Sequence, residues 1–250
     1  MSPTVPLLRI EALACGYGKR EILHGISLVV APGAIEGLLG RTSAGKTTLL
    51  MTIAGLVKAY DGSIRFDGME LAGLKSHEIV MRGVAYVPQK RSLLRALSVR
   101  DALMAGAWRD ADQERIRHDT DCLLDRFACL RARAAQCVAL LDDHEQQLLA
   151  IARALVQRPR LMLLDEPALG LTDAHAEQIA ALLAELRAEG LSILIAEREP
   201  RLVPRLATGT HTLVEGCIAG MPAPAPREAP RRRVRRHVLP QEEALPAATL

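Results

Sequence analysis

Residues 38–48 read Leu-Leu-Gly-Arg-Thr-Ser-Ala-Gly-Lys-Thr-Thr. An apolar run over 35–39, interrupted by Glu36 and Gly37, feeds a loop framed by Gly40 and Gly45, and residues 49–56 continue as an apolar helix. Strand, glycine-framed loop and helix, in that order, leave few options for the fold. Glycine at each end of the loop lets the backbone N–H groups of Gly40, Arg41, Thr42, Ser43, Ala44 and Gly45 turn inward around phosphate oxygens. Lys46 reaches the outer phosphates, the Thr47 hydroxyl is placed to hold Mg2+, and Thr48 continues into a helix whose positive dipole end faces the same anion. The spacing predicts a nucleotide site.

A chain of 250 residues, 49% hydrophobic, suits one large domain with room for a subdomain. Aromatic residues make up only 2%, so stacking platforms for bases are scarce, which argues against single-stranded nucleic acid as a ligand. Residues 222–250 carry six arginines against three glutamates, a net of +3 that equals the charge of the whole chain. Residues 1–221 are therefore neutral, and the body is no general polyanion binder. The five cysteines, Cys15, Cys122, Cys129, Cys137 and Cys217, are widely spaced and include no Cys-x-x-Cys. They read as thiols in a reducing compartment. Met1-Ser2-Pro3-Thr4 lacks a basic region, so no signal peptide is expected, and no stretch of about 18 apolar residues marks a membrane span.

Strands are expected over 7–13 and 26–30, with a turn at 15–18, and over 63–66 between turns at Asp61-Gly62 and Asp67-Gly68. Residues 84–87 read as a buried strand closed by Pro88-Gln89. From about 93 to 141 the pattern is helical, and a long helix follows over 145–156. A strand over 161–164, a helix over 173–189 stopped by Gly190, and a strand over 192–196 complete the body. Beyond Gly220 the Pro-, Ala- and Arg-rich chain is expected to be disordered.

The strand at 161–164 ends in Asp165-Glu166-Pro167. Beside a phosphate-binding loop, Asp165 suits the Mg2+ shell opposite Thr47, and Glu166 suits the polarisation of an attacking water.

With both motifs in place, residues 7–220 resemble the ATP-binding subunits of ABC transporters, and the wording is nearest to the ATPases of branched-chain amino acid importers. Arg41 in the loop, Glu145-Gln146-Gln147-Leu148-Leu149-Ala150-Ile151, and Leu169-Gly170-Leu171 carry the finer likeness. The resemblance implies an α/β P-loop NTPase fold: an ABC-type nucleotide-binding domain with an antiparallel β subdomain and an inserted helical subdomain at 91–140, ahead of a tail over 221–250. It implies ATP and Mg2+ as cofactors, with adenine on Tyr17. Gln89 would touch Mg2+ or its water and the transmembrane partner. It further implies transmembrane permease subunits, a second ATP-binding subunit, a periplasmic solute-binding protein acting indirectly, and a place on the cytoplasmic face of the inner membrane.

The departures from the family carry information too. The family signature is Leu-Ser-Gly-Gly-Gln/Glu, and its N–H groups close on nucleotide held by a partner's loop. Here the stretch is Leu141-Asp142-Asp143-His144-Glu145. Side chains replace both glycines, and two carboxylates enter where phosphate would sit; like charges a few Å apart cost about 1–4 kcal/mol each. Arg198 stands near the position of a γ-phosphate-contacting His in many relatives, where a salt bridge with a neighbouring Glu competes with a phosphate contact. Thr42-Ser43 replace Asn-Gly or Ser-Gly, and Thr172 replaces a common Asp. A heterodimer with an intact second ATPase is therefore expected over a homodimer. The alternatives are a non-hydrolysing regulatory subunit, or a soluble protein using Arg231, Arg232, Arg233, Arg235 and Arg236 on nucleic acid, though no specific nucleic acid partner is expected. His24, His77, His118, His175 and His211 read as isolated structural or surface residues.

Overall fold

The computed structural model describes residues 5–89, 94–107 and 112–220. The arginine-rich tail and the first four residues lie outside the described residues.

Among the described residues, ten strands and eight α-helices follow one another as β1 (Leu8–Tyr17), β2 (Arg20–Val30), β3 (Ile35–Leu39), α1 (Lys46–Ile53), β4 (Ala59–Phe66), β5 (Met69–Glu70), α2 (Ser76–Met81), β6 (Val84–Val87), α3 (Val99–Met104), α4 (Gln113–Arg126), α5 (Ala128–Ala132), α6 (Asp143–Leu155), β7 (Leu161–Asp165), α7 (Asp173–Ala188), β8 (Ser192–Glu197), α8 (Val203–Leu206), β9 (Gly209–Val214) and β10 (Cys217–Ile218). They form two sheets. One is antiparallel, in the order β2-β1-β4-β5; the other runs β10-β9-β3-β8-β7-β6, parallel except for β10.

The near-continuous apolar runs of β7 and β8 are what a parallel sheet covered on both faces requires. Side chains alternate between two cores. Leu161, Leu163, Leu194 and Ala196 pack with α1 and the antiparallel sheet. Met162, Leu164, Ile193 and Ile195 pack with the helical layer. Between Val99 and Leu140 the elements among the described residues are all helical, as expected, and their neck is closed by backbone bonds from Val99 N–H to Gln136 and from Val138 N–H to Leu97, at 2.9 Å each.

Two turns were misplaced by the sequence pattern. Residues 15–17 are strand, and the reversal falls at Gly18-Lys19. Gly16 is required by close approach instead: a Cβ there would lie 2.1 Å from the Arg20 carbonyl oxygen. Gly62 likewise lies inside β4, where a Cβ would meet the backbone of residues 11–13 at 2.6 Å, beside the register shift between β1 and β4. Asp67-Gly68 does form a turn, with φ of 51° and 78°.

Candidate functional site

The loop after β3 and the carboxylates after β7 meet at the carboxyl end of the parallel sheet, one strand apart across β8. Gly45, at φ 108°, caps α1, and Ser43 also takes positive φ at 65°. These turns make the concave backbone that suits an anion. A Cβ on Gly40 would come within 2.6 Å of the Leu213 carbonyl oxygen, and one on Gly45 within 2.5 Å of the Leu23 side chain. Arg41, Thr42, Ser43 and Thr47 are exposed, while Ala44, Lys46 and Thr48 are buried.

Lys46 Nζ donates to the Gly40 and Arg41 carbonyls at 2.8 and 3.2 Å, and pairs with Glu166 Oε1 at 3.2 Å. The other oxygen of Glu166 accepts from the Arg198 N–H at 2.9 Å. Glu166 itself is held at φ 51°, a region that non-glycine residues rarely adopt and that collects at functional sites. The Arg198 guanidinium pairs with Glu199 at 2.8 Å.

Asp165 is 2% exposed. Burial pushes its carboxyl above the ordinary range, and Glu166 adds to that; Thr47, Tyr86 and Lys46 work against it. Tyr86 Oη donates to Oδ2 at 3.3 Å, whereas Oδ1 is buried with no hydrogen-bond partner. An unsatisfied buried carboxylate oxygen beside a threonine hydroxyl is a donor set that fits Mg2+. Burial, then Asp165, pushes the Tyr86 hydroxyl upward, so it remains a donor. Tyr17 stands half-exposed at the end of β1 beside α1, its Oη 4.0 Å from Met51 Sδ. Gln89 is exposed just past β6, and residues 90–93 that follow it lie outside the described residues.

The signature stretch opens α6, which starts at Asp143 rather than Glu145. Asp142 caps it, accepting from the Glu145 N–H at 2.8 Å while Glu145 accepts from the Asp142 N–H at 3.0 Å. Arg133 pairs with Glu145 at 2.5 Å. The positive end of α6 is thus occupied by carboxylates of its own chain. His144 is buried, and its ring stacks on His175 of α7 with centroids 4.1 Å apart. His175 is therefore not isolated in space. Thr172 caps α7 by accepting from the His175 N–H at 3.2 Å.

Three residues outside the motifs belong to the site. Tyr86 is the first; its place beside β7 follows from the parallel register of β6, which the sequence pattern does not specify. Glu197, 2% exposed, ends β8 and accepts from the N–H groups of Leu202 and Val203 at 3.0 Å. Arg201, in the turn so held, donates to the Ala168 and Leu171 carbonyls at 3.0 and 2.8 Å and pairs with Asp173 at 2.6 Å. This closes a ring around Glu166: the loop after it is tied to Arg201, and the turn carrying Arg201 begins at the N–H that grips the Glu166 carboxylate.

Comparisons with known proteins agree with this geometry. A family model described as ABC transporter matches residues 23–169. The high-affinity branched-chain amino acid transport ATP-binding protein BraG of Pseudomonas aeruginosa is 38% identical over 213 residues, 85% of this chain and 91% of the relative. The lipopolysaccharide export system ATP-binding protein LptB of Haemophilus influenzae is 35% identical over 197 residues, 78% of this chain and 81% of the relative. Among solved structures, an ATP-binding cassette of an ABC transporter superposes with a TM-score of 0.79 at 24% identity, covering 86% of this chain and 90% of that one. With a glycine-framed loop facing two strand-end carboxylates, the expected pair of sheets and helical layer, and relatives matched over most of their length, the chain belongs to the ATP-binding subunits of ABC transporters, a family of transport-coupled ATPases.

Proposed function

We propose that this chain is the ATP-binding subunit of an importer for branched-chain amino acids or a related small polar solute, paired with a second ATP-binding subunit whose signature is intact. The convergence of Lys46, Thr47, Asp165 and Glu166 at one sheet end carries the reading. The similarity to BraG supports the solute class, while the similarity to LptB marks how widely this cassette is shared. Among the described residues no helix is long and apolar enough to cross a membrane, so transport needs permease partners. The edge strand β6 borders a groove lined by Leu56, Ile79, Val80, Val87, Ala150 and Arg153, which suits a permease segment near Gln89. A periplasmic solute-binding protein would act through those permeases, and the work would be done at the cytoplasmic membrane face.

In this reading adenine stacks on Tyr17 and the loop N–H groups hold the phosphates. Lys46 exchanges Glu166 and its two carbonyls for phosphate oxygens. Thr47, Asp165 and Gln89 would hold Mg2+, whose charge would offset that of the phosphates. Released from Lys46 but still held by the Arg198 N–H, Glu166 takes a proton from water as the water oxygen bonds to the γ-phosphorus and the bond to ADP breaks.

The second half of the reading rests on α6. Its capping box and Asp143 present negative charge where a partner's γ-phosphate would arrive. A site built on this chain's Lys46 and closed by an intact partner signature would turn over; the reverse site would bind ATP and hydrolyse it poorly. The test is ATPase activity of the chain alone, before and after Asp142→Ser, Asp143→Gly and His144→Gly together. Little activity that rises at least tenfold on repair is expected. Strong activity of the unmodified chain would refute the pairing, as would no gain in a repaired chain that folds and binds ATP.

A further inference from the structure

β6 and β7 lie side by side in parallel register, with Tyr86 opposite Leu163. Residues two apart on a strand share a face, so Tyr86, Leu163 and Asp165 all point toward the layer that holds α1. Tyr86 thus reaches diagonally forward along the sheet, and its Oη donates to Asp165 Oδ2 at 3.3 Å. The other oxygen, Oδ1, is buried and has no hydrogen-bond partner. The two oxygens of one carboxylate are therefore in different states. One is engaged by a hydroxyl fixed in a buried sheet; the other is the acceptor left over beside Thr47. A carboxylate turns about its last side-chain bond with little resistance, so a donor on Oδ2 sets where Oδ1 points.

We propose that Tyr86 is a positioning residue for the divalent cation that accompanies nucleotide: by holding Oδ2 it aims Oδ1 of Asp165 at the metal. This rests on the assignment of Asp165 to the Mg2+ shell. Tyr86 touches neither nucleotide nor reacting atoms in this scheme, and its effect passes through Asp165 alone. Its removal weakens the part of ATP binding that depends on metal and leaves the rest intact.

The test is equilibrium binding of ATP to the full-length chain, in EDTA and in Mg2+, for the unmodified protein, Tyr86→Phe, Asp165→Asn and the double variant. Phenylalanine keeps the ring and its packing, and thermal unfolding checks that the fold is unchanged. In EDTA, Tyr86→Phe binds ATP as the unmodified chain does. In Mg2+ it binds about tenfold more weakly, the scale of lost outer-shell support at a metal site. With Asp165→Asn already present, Tyr86→Phe adds nothing. Mn2+ in place of Mg2+ gives an independent readout: the resonance spectrum of the bound ion broadens or changes in Tyr86→Phe. Equal affinity of Tyr86→Phe and the unmodified chain in Mg2+ overturns the proposal. So does an equal loss in EDTA, which makes Tyr86 merely structural, or an additive loss in the double variant. If the unmodified chain binds ATP with no response to Mg2+, the metal-shell reading itself fails, which separates that failure from a failure of the Tyr86 role alone.

Discussion

Glu166 is held by opposite means on its two oxygens: a full positive charge from Lys46 and a neutral N–H from Arg198. Under the proposed function only the first is surrendered to phosphate, so the proposed base and the proposed phosphate-binding cation neutralise each other here. Replacing the carboxylate separates the two roles. In Glu166→Gln the amide oxygen can still accept the Arg198 N–H, but Lys46 loses its ion pair. ATP should bind the isolated chain at least as tightly as before, while turnover in a complete transporter falls by about 10²–10⁴, the usual contribution of a positioned base. Titration with ATP and steady-state phosphate release measure the two effects separately. Both Lys46 and Glu166 were legible as residues because their motifs are contiguous. Tyr86, Glu197 and Arg201 were not, because each gains its partner from a segment at least five residues away that only the folded register brings near.

The start of α6 is an element whose capping serves the stability of its own helix. Asp142 is a good N-cap, and Asp143 and Glu145 complement the helix dipole. Asp142→Ala should cost about 1 kcal/mol, a fall in Tm of about 2–4 °C for a chain this size, whereas Asp142→Ser should be near neutral because serine caps as well. Calorimetry of both variants tests this, and the serine result also controls the repair experiment. The turn after β8 supplies a second case. Burial raises the Glu197 carboxyl above its ordinary range, against the pull of the N–H groups it caps. The native state then keeps that proton when the unfolded chain has lost it, so the stability linked to Glu197 is greatest below the ordinary carboxylate value and declines as pH rises toward the native one. Glu197→Gln removes this slope. The Tm difference between Glu197→Gln and the unmodified chain should grow in favour of the variant from about pH 4 upward. The longer helices α1, α6 and α7 and the parallel strands β3, β6, β7 and β8 were legible at this scale because apolar periodicity reports burial directly; the short α2 and α8, and β9 with its alternating exposure, were not. The long β1–β2 hairpin was not, since Gly16 and Gly62 mark close backbone approach, and in a sequence that use looks the same as a turn.

Across the whole molecule, the two faces that the proposed function assigns to a nucleotide-sandwiching pair are built to different standards. The face with Lys46, Asp165 and Glu166 has its donors and acceptors converging on one place. The face with α6 has already spent its helix end on Asp142 and Glu145, and has turned His144 inward onto His175. Self-association through ATP requires both faces from the same chain, so under the proposed function ATP sits on a chain that does not pair with itself. Sedimentation of the Glu166→Gln chain with saturating Mg-ATP measures this most directly, because blocking hydrolysis keeps the nucleotide in place. One bound ATP per chain and a monomer are expected, with a dimer appearing once Asp142→Ser, Asp143→Gly and His144→Gly are added. A stable ATP-driven dimer of Glu166→Gln with its own α6 unaltered would contradict that expectation.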